Sequence, residues 1–482
     1  MHPLNQLKAF LSRENFAHSV TILASGTALG QGLILLASPI LTRIYTPEDF
    51  GVLAVFVFVL SMVVVVASLR YELAIPLPED DQTAINLLAL AFGLVIVMSL
   101  LAGSGVLLFG HQLVTWINAP ALTPYLWLLP LGTFGAGLYQ VFNYWAVRKK
   151  AFNRIANTKL NQSVGLILTH LGIGFLYSGA IGLLFGQIVS QVAGTTTLAR
   201  IAWREDRGAL TGVNLQDIGK AAWRYKQFPL FSSWSAIFNT LSVHIPILML
   251  SYFFDSKIMG LYTLANRVLQ TPISLIGKAV TQVFFSKVAE ANREGILSSS
   301  ASNIFGKLLQ ISLPLMLLGG IAAPEVFTYV FGNEWRQAGI YAQWLSPWLL
   351  LVFISSPLSI LPSVLEKQGQ ELLFQITLLT SRLIALSVGG WLVNPNLAIA
   401  LFAITSAFCW FFFMMWNMSL SGNGFWKVQN YIWKELFNVL PFALPLIVVK
   451  NIFNNDLYVI VTLGISGMLI LNRTVHRLTA KG

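Results

Sequence analysis

The stretch HIPILMLSYFFDSKIMGLYTLANRVLQTPISLIGKAVTQVFFSK, residues 244–287, decides the fold. Two long apolar runs are joined by a short polar turn at residues 255–257, which predicts two successive membrane-spanning helices. The second run carries Arg267 and Lys278 where hydrocarbon tolerates cations least. On insertion scales each costs about 2.5–3.5 kcal/mol at a helix centre, so such residues usually face a polar interior and mark a pathway. Their spacing in the chain puts them on one helix face, about 16 Å apart in depth. Gln270, Thr271 and Ser274 lie between them on that face, and Thr281 and Gln282 lie beyond.

The same stretch has an echo earlier in the chain. Residues 39–54 read PILTRIYTPEDFGVLA and residues 246–265 read PILMLSYFFDSKIMGLYTLA. Both run Pro-Ile-Leu, an aromatic, an acidic turn, then Gly at the start of a new apolar run, so Gly51 and Gly260 correspond. An offset of roughly two hundred residues predicts two homologous halves, and duplicated halves are a habit of transporter folds.

Composition agrees. Of 482 residues 56% are hydrophobic and 10% charged, with mean hydropathy +0.70. Soluble domains carry about 25% charge, so the chain reads as an integral membrane protein with little soluble mass. Apolar runs of spanning length fall at residues 20–42, 51–69, 84–109, 123–147, 158–178 and 180–202. They resume at 228–253, 258–286, 308–331, 340–361, 372–393 and 397–420, and shorter runs follow at 437–453 and 457–472. The expected architecture is an all-α polytopic membrane protein of fourteen transmembrane helices, or twelve if the last pair lies on the surface. It divides into an N-lobe (1–202), a linker (203–227), a C-lobe (228–420) and a C-terminal interfacial segment with a helix pair (421–482). Residues 1–19 are polar and show no cleavable signal.

The net charge of +11 would suggest nucleic acid in a soluble chain. Here topology accounts for it. With the N-terminus in the cytoplasm, 23 of the 30 Lys and Arg fall on cytoplasmic connections and span ends. Only Arg43, Lys257 and Arg336 fall outside, which is the asymmetry of the positive-inside rule. Both termini are then cytoplasmic, and the nucleic-acid reading falls away. The polar interval at 203–226 reads as a linker that is partly an interfacial helix. Residues 421–436, with Trp426 and Trp433 beside Lys427 and Lys434, read as an amphipathic headgroup anchor.

No P-loop, HExxH, GxSxG or His–carboxylate cluster is present, so neither an enzyme, nor a cofactor, nor a metal site is expected. The single cysteine, Cys409, excludes an intrachain disulfide. His170 and His244 are lone histidines inside spans and read as packing residues. The acidic residues Glu72, Asp255, Glu325 and Asp456 sit near span ends, which counts against a cation-coupled antiporter with a mid-membrane carboxylate. Lys450 and Arg43 read as paired cations. Arg382 joins Glu371 and Gln375 on one face of the eleventh span, and with Arg267 and Lys278 predicts a lumen of positive potential. At an effective dielectric near 20 and about 5 Å, one cation–anion contact is worth about 3 kcal/mol, so two or three could hold a diphosphate reversibly. Gln31, Asn239 and Gln270 are candidate sugar contacts, and each could equally be an interhelical hydrogen bond.

Three motifs in order carry a resemblance: LTRIYTPEDFGVLAVFVF (41–58), RYELAIPLPEDDQTA (70–84) and GLYTLANRVLQTPISLIGKAVTQVFFSKVAE (260–290). Over roughly residues 15–420 the chain resembles bacterial polysaccharide (O-antigen and exopolysaccharide, Wzx-type) flippases of the multidrug/oligosaccharidyl-lipid/polysaccharide (MOP) exporter superfamily. The resemblance implies two six-helix lobes around a central cavity, lined by the first, second, seventh and eighth helices. It implies a multi-pass protein of the bacterial inner membrane that moves an undecaprenyl-diphosphate-linked oligosaccharide to the outer leaflet. Such a step would serve O-antigen, exopolysaccharide, lipopolysaccharide or capsule biosynthesis, as a monomer among membrane lipids, beside a polysaccharide polymerase and chain-length regulator. The alternative is a cation-coupled multidrug or small-molecule antiporter on the same fold. A non-transporting scaffold would not need the cationic stripe, and a membrane glycosyltransferase would normally show a sizeable outer loop.

Overall fold

The computed structural model describes residues 13–479 except 206–212, 294–295, 366 and 454, and the side chains of several helical stretches, Lys278 among them, lie outside the described set. Among the described residues all regular structure is helical. Six long helices come first: α1 (Arg13–Ile44), α2 (Pro47–Val64), α3 (Asp81–Trp116), α4 (Leu128–Arg148), α5 (Phe152–Leu176) and α6 (Ile181–Glu205). The short α7 (Leu215–Arg224) precedes α8 (Ser233–Phe253) and α9 (Ser256–Arg293). Then come α10 (Leu297–Ile321), α11 (Ala323–Phe331), α12 (Arg336–Ser355), α13 (Leu361–Val364), α14 (Gln368–Trp391), α15 (Pro395–Leu420), α16 (Phe425–Ile452) and α17 (Asp456–Thr479). Ten described stretches are long and apolar enough to cross a membrane. Their outward residues, such as Leu100, Leu107 and Phe109 on α3, are large, apolar and exposed, as a lipid-facing surface requires.

Local chemistry sets where the helices begin. Thr46 caps α2 by accepting from the Asp49 amide, Asp49 returns a bond to the Thr46 amide, and Pro47 supplies the preset φ of the first turn. Asp80 caps α3 through the Thr83 amide at 2.6 Å. Arg148, at the end of α4, holds the preceding turn by donating to the Pro78 carbonyl (2.5 Å) and to Asp81 (2.8 Å). Asn394 caps α15 with Pro395 in the first turn.

Contacts divide the chain into two compact units, Met1–Gly260 and Leu261–Gly482. Within the first unit α8 packs with the N-terminal helices. The His244 ring lies 5.8 Å from that of Phe58 on α2. The Ser251 hydroxyl donates to the Ile117 carbonyl, and Asn118 donates to that of Tyr252. The linker forms α7, whose Ala221 is buried in the N-terminal core while Leu215 and Trp223 remain exposed.

In the second unit one core joins α10, α15, α16 and α17 through Phe305, Leu309, Met414, Leu446 and Val459. Residues 425–436 are helical. From Phe425 they run without a break into the next apolar run as α16, since no glycine or proline interrupts residues 425–440. The C-terminal pair is therefore two helices of 28 and 24 residues; the first is long and apolar enough to cross a membrane, and the apolar part of the second is the shorter Asp456–Ile470.

Candidate functional site

Two adjoining cavities open within the first unit. One, of about 480 Å³, is lined by α2, α4, α5, α6 and α8 and includes Tyr139, Gln140, Lys159, Gln187, Gln191 and His244. The other, of about 590 Å³, is lined by Arg70, Phe231, Ser232 and Ala236 among others. Val65, Asn239 and Thr240 line both, so the two are continuous. No carboxylate is among the described lining residues of either.

Lys159 is the cation of the first cavity. It is half-buried on α5, with its ammonium 4.7 Å from the centre of the Tyr139 ring. Among the described residues no carboxylate pairs with it. Around it the polar part of the wall is mainly amide and hydroxyl, set among aliphatic residues such as Val57, Leu60 and Val243. Gln162 bonds Gln191 at 3.3 Å, while the Gln140 carbonyl oxygen and the Tyr139 hydroxyl are buried without partners. A cation in a low-dielectric wall, beside unsatisfied neutral polar groups, can take an anion together with uncharged hydroxyl-rich material.

At the other end, Arg70 follows α2 on a tight turn. Leu69 and Arg70 both have positive φ, 49° and 65°. Glu72, in the helical turn Tyr71–Ala74, is 1% exposed. It accepts from the Ser68 hydroxyl and faces Arg70 Nη1 at 3.4 Å. Burial pushes its carboxyl above the ordinary range, against the opposing pull of Ser68 and Arg70.

The sequence-based candidates fall in several places. Asn239 lies in both cavities. Gln31 is half-buried on α1 and has a partner within the protein. Arg267 is half-buried on α9, and among the described residues its side chain meets no carboxylate. The polar stripe beside it is largely satisfied within its own helix. Thr271 donates to the Arg267 carbonyl (2.8 Å), Ser274 to that of Thr271 (2.9 Å), and Gln270 to Asn266 (3.0 Å). Lys278 lies outside the described side chains. Arg382 donates to the Ser406 hydroxyl (3.0 Å) and sits over the rings of Trp348 (5.0 Å) and Phe402 (5.3 Å). Lys450 pairs with the buried Glu325 at 3.1 Å, and His170 bonds the Leu183 carbonyl at 3.1 Å. Lys159 and its glutamines were missed by sequence reading. The signal was Gln187 and Gln191, one turn apart on α6, together with a lysine at the edge of an apolar run.

Residues 40–339 match the family model described as polysaccharide biosynthesis protein. The chain belongs to that family. A curated relative is the succinoglycan biosynthesis transport protein ExoT of Rhizobium meliloti (strain 1021), 24% identical over 64% of the chain and 60% of the relative. The alignment thus spans less than two thirds of that relative's length. Among solved structures, the lipid II flippase MurJ in an inward closed conformation matches at TM-score 0.66 and 10% identity, covering 96% of this chain and 99% of that one. An inward-facing multidrug resistance MATE family transporter matches at TM-score 0.63 and 17% identity, covering 81% and 95%. The chain thus shares the all-helical fold of these two structures, with ten described stretches long and apolar enough to cross a membrane.

Proposed function

We propose that the protein is a flippase that carries an undecaprenyl-diphosphate-linked oligosaccharide from the cytoplasmic to the outer leaflet of the bacterial inner membrane. In this reading it works by alternating access and serves synthesis of O-antigen, exopolysaccharide or capsule. The polysaccharide family, the name of the transport relative and the flippase fold support this class. The observation that carries it to this chain is Lys159, a cation without a described carboxylate partner in a cavity whose wall also carries amides and hydroxyls. A diphosphate-linked sugar head cannot cross hydrocarbon unaided, because its polar groups would be left unsatisfied there. The cavity offers one ammonium for the anion and Gln140, Gln187, Gln191, Asn239 and Thr240 for the hydroxyls, while the lipid tail stays in the bilayer. Arg267, Lys278 and Arg382 are further diphosphate contacts in this reading, and Gln31, Asn239 and Gln270 sugar contacts. A cation-coupled antiporter is the poorer reading, since the described cavity wall holds no carboxylate to carry the coupling ion.

The test uses proteoliposomes with an undecaprenyl-diphosphate-linked oligosaccharide whose sugar is read from one side by an impermeant glycosidase. Protein-dependent transfer between leaflets, lost on Lys159→Gln, is the expected result. Absence of transfer with a well-folded protein that instead exchanges small cations would overturn the reading.

A further inference from the structure

The turn between α2 and α3 holds the other cation of the cavity wall in an unusual state. Leu69 and Arg70 are consecutive non-glycine residues in the left-handed region, a conformation that persists only where its surroundings enforce it. The enforcement is visible. The Leu69 amide bonds the Val66 carbonyl at 2.9 Å, that of Tyr71 bonds Ser68 at 3.1 Å, and the Tyr71 hydroxyl bonds the Ala222 carbonyl on α7 at 3.0 Å. Across the cavity the backbone is irregular as well, since Phe228–Ser232 forms a π-turn whose Phe231 and Ser232 are lining residues. Single π-turns recur at functional sites.

Arg70 is not fully held in this geometry. Its Nε is buried with no partner, and Glu72 Oε1 likewise makes no hydrogen bond, although the two side chains approach to 3.4 Å through Nη1. Well-formed charge-assisted contacts are shorter, at about 2.7–2.9 Å, and use the guanidinium fork. The neighbouring charges are engaged elsewhere. On α4, Arg148 and Lys149 bond Asp81, at 2.8 and 2.9 Å. At the end of α7, Lys226 lies 3.7 Å from the Trp223 ring centre and Arg224 lies over Tyr225. Tyr71 and, on α4, Tyr144 are titratable groups near the pair.

We propose that Arg70 is a switching ligand at the cavity mouth, paired with Glu72 when the mouth is empty and with a phosphate-type anion when it is filled. Glu72 is then an internal stand-in for the anion, and its release is the first event of loading. A planar guanidinium suits a phosphate bidentately, and Ser232, Asn239 and Thr240 on the same wall supply neutral hydrogen-bonding groups. This rests on the flippase reading for its physiological ligand, a prenyl diphosphate headgroup. The chemistry alone also admits a free diphosphate.

The experiment is equilibrium binding to the purified full-length protein in nanodiscs, with inorganic diphosphate, geranylgeranyl diphosphate and geranylgeraniol as probes. Both diphosphates should bind and the alcohol should not. Geranylgeranyl diphosphate binding much the tighter assigns the lipid headgroup, and equal binding assigns the free anion as sufficient. Arg70→Gln should raise Kd at least tenfold, Arg70→Lys should fall between, and Glu72→Gln should lower Kd about threefold or more by removing the competitor. The double variant should match Arg70→Gln. Wild-type affinity in Arg70→Gln, weaker binding in Glu72→Gln, or no binding of either diphosphate to a wild-type protein of normal melting temperature overturns the switch. Because binding is read without transport, a positive result with no transfer in proteoliposomes would sink the flippase reading alone.

Discussion

Gly51 and Gly260 meet backbone to backbone. A Cβ on Gly51 would stand 1.7 Å from the Ser256 carbonyl oxygen, and one on Gly260 would stand 1.7 Å from that of Pro47. Each glycine lies four residues after the residue the other one touches, so the contact maps onto itself when the two repeats are exchanged. The first turns of α2 and α9 therefore cross at a distance only two glycines allow. Lys257 and Glu48 flank the crossing at 3.9 Å.

Either glycine replaced by alanine forces the two helix starts apart. The expected loss is about 1–3 kcal/mol for each, the range of overpacking in a well-packed interior. The double variant should lose less than the sum, because one separation relieves both clashes. Melting temperature in detergent measures this, and a Gly51→Ala protein as stable as wild type would show that the helices do not cross this closely.

Much of this arrangement could be read before any coordinates. The acidic turns and glycines of the repeat are local signals, and so was the pairing of Lys450, a cation at a span end. Lys159 was not legible in that way. The apolar run begins at residue 158, which put the lysine at a membrane edge, whereas α5 begins at Phe152. Seven residues of helix, about 10 Å, separate Lys159 from the start of α5. Hydropathy reports composition, not where a helix starts, and the residues that line the cavity with Lys159 come from four other helices.

Lys159→Gln should cut transfer at least tenfold at unchanged protein level, from the loss of one contact worth about 3 kcal/mol at most with partial compensation by water. Lys159→Arg should retain part of the activity, since the charge survives. The proteoliposome assay reads both, and full activity in Lys159→Gln would remove the cavity from the mechanism.

Arg267 and Arg382 should behave differently from each other. Arg267 meets no described carboxylate, so Arg267→Ala should lower transfer while leaving melting temperature unchanged or raised, as a buried cation's desolvation cost is relieved. Arg382 stacks on Trp348 and Phe402 and bonds Ser406. Its replacement by alanine should lower stability by about 1–2 kcal/mol, the scale of a desolvated cation–π contact. A stability loss at Arg267 with no loss of transfer would make it structural.

Glu72 gives stability a pH dependence of known sign. Burial raises its carboxyl pKa above the reference of 4.5, so between the unfolded and folded values the folded state binds more protons than the unfolded one. Stability then falls as pH rises through that window, because the slope follows the protons bound by the unfolded state minus those bound by the folded state. Asp80, held low by the Thr83 amide, acts with the opposite sign below its own reference value. Comparing wild type with Glu72→Gln isolates the first effect. The variant should lack the decline across that window, and identical melting curves in both proteins would mean that Glu72 does not titrate there.

The C-terminal pair should prove inseparable from the second unit. Truncation after Leu436 removes Val439, Ala443, Leu446, Val459 and Ile470 from the core they share with α10 and α15. It also strips Glu325, buried on α11, of Lys450 at 3.1 Å, and strips Arg336 of Asp456 at 3.2 Å. Glu325 would keep only Arg336, at 3.9 Å. A buried carboxylate deprived of its cation is costlier than the pair was worth, which gives the point variants a distinctive pattern. Lys450→Met should lower stability by about 1–3 kcal/mol, the scale of a hydrogen bond to a charged group. Adding Glu325→Gln should restore part of that loss, since the stranded charge is then gone. The truncated protein should fail to accumulate in the membrane, so that its transport is lost together with the protein. A truncated chain that accumulates at wild-type levels and melts where the full chain does would show that α16 and α17 are an appendage, and that the Glu325 cluster does not hold them to the core.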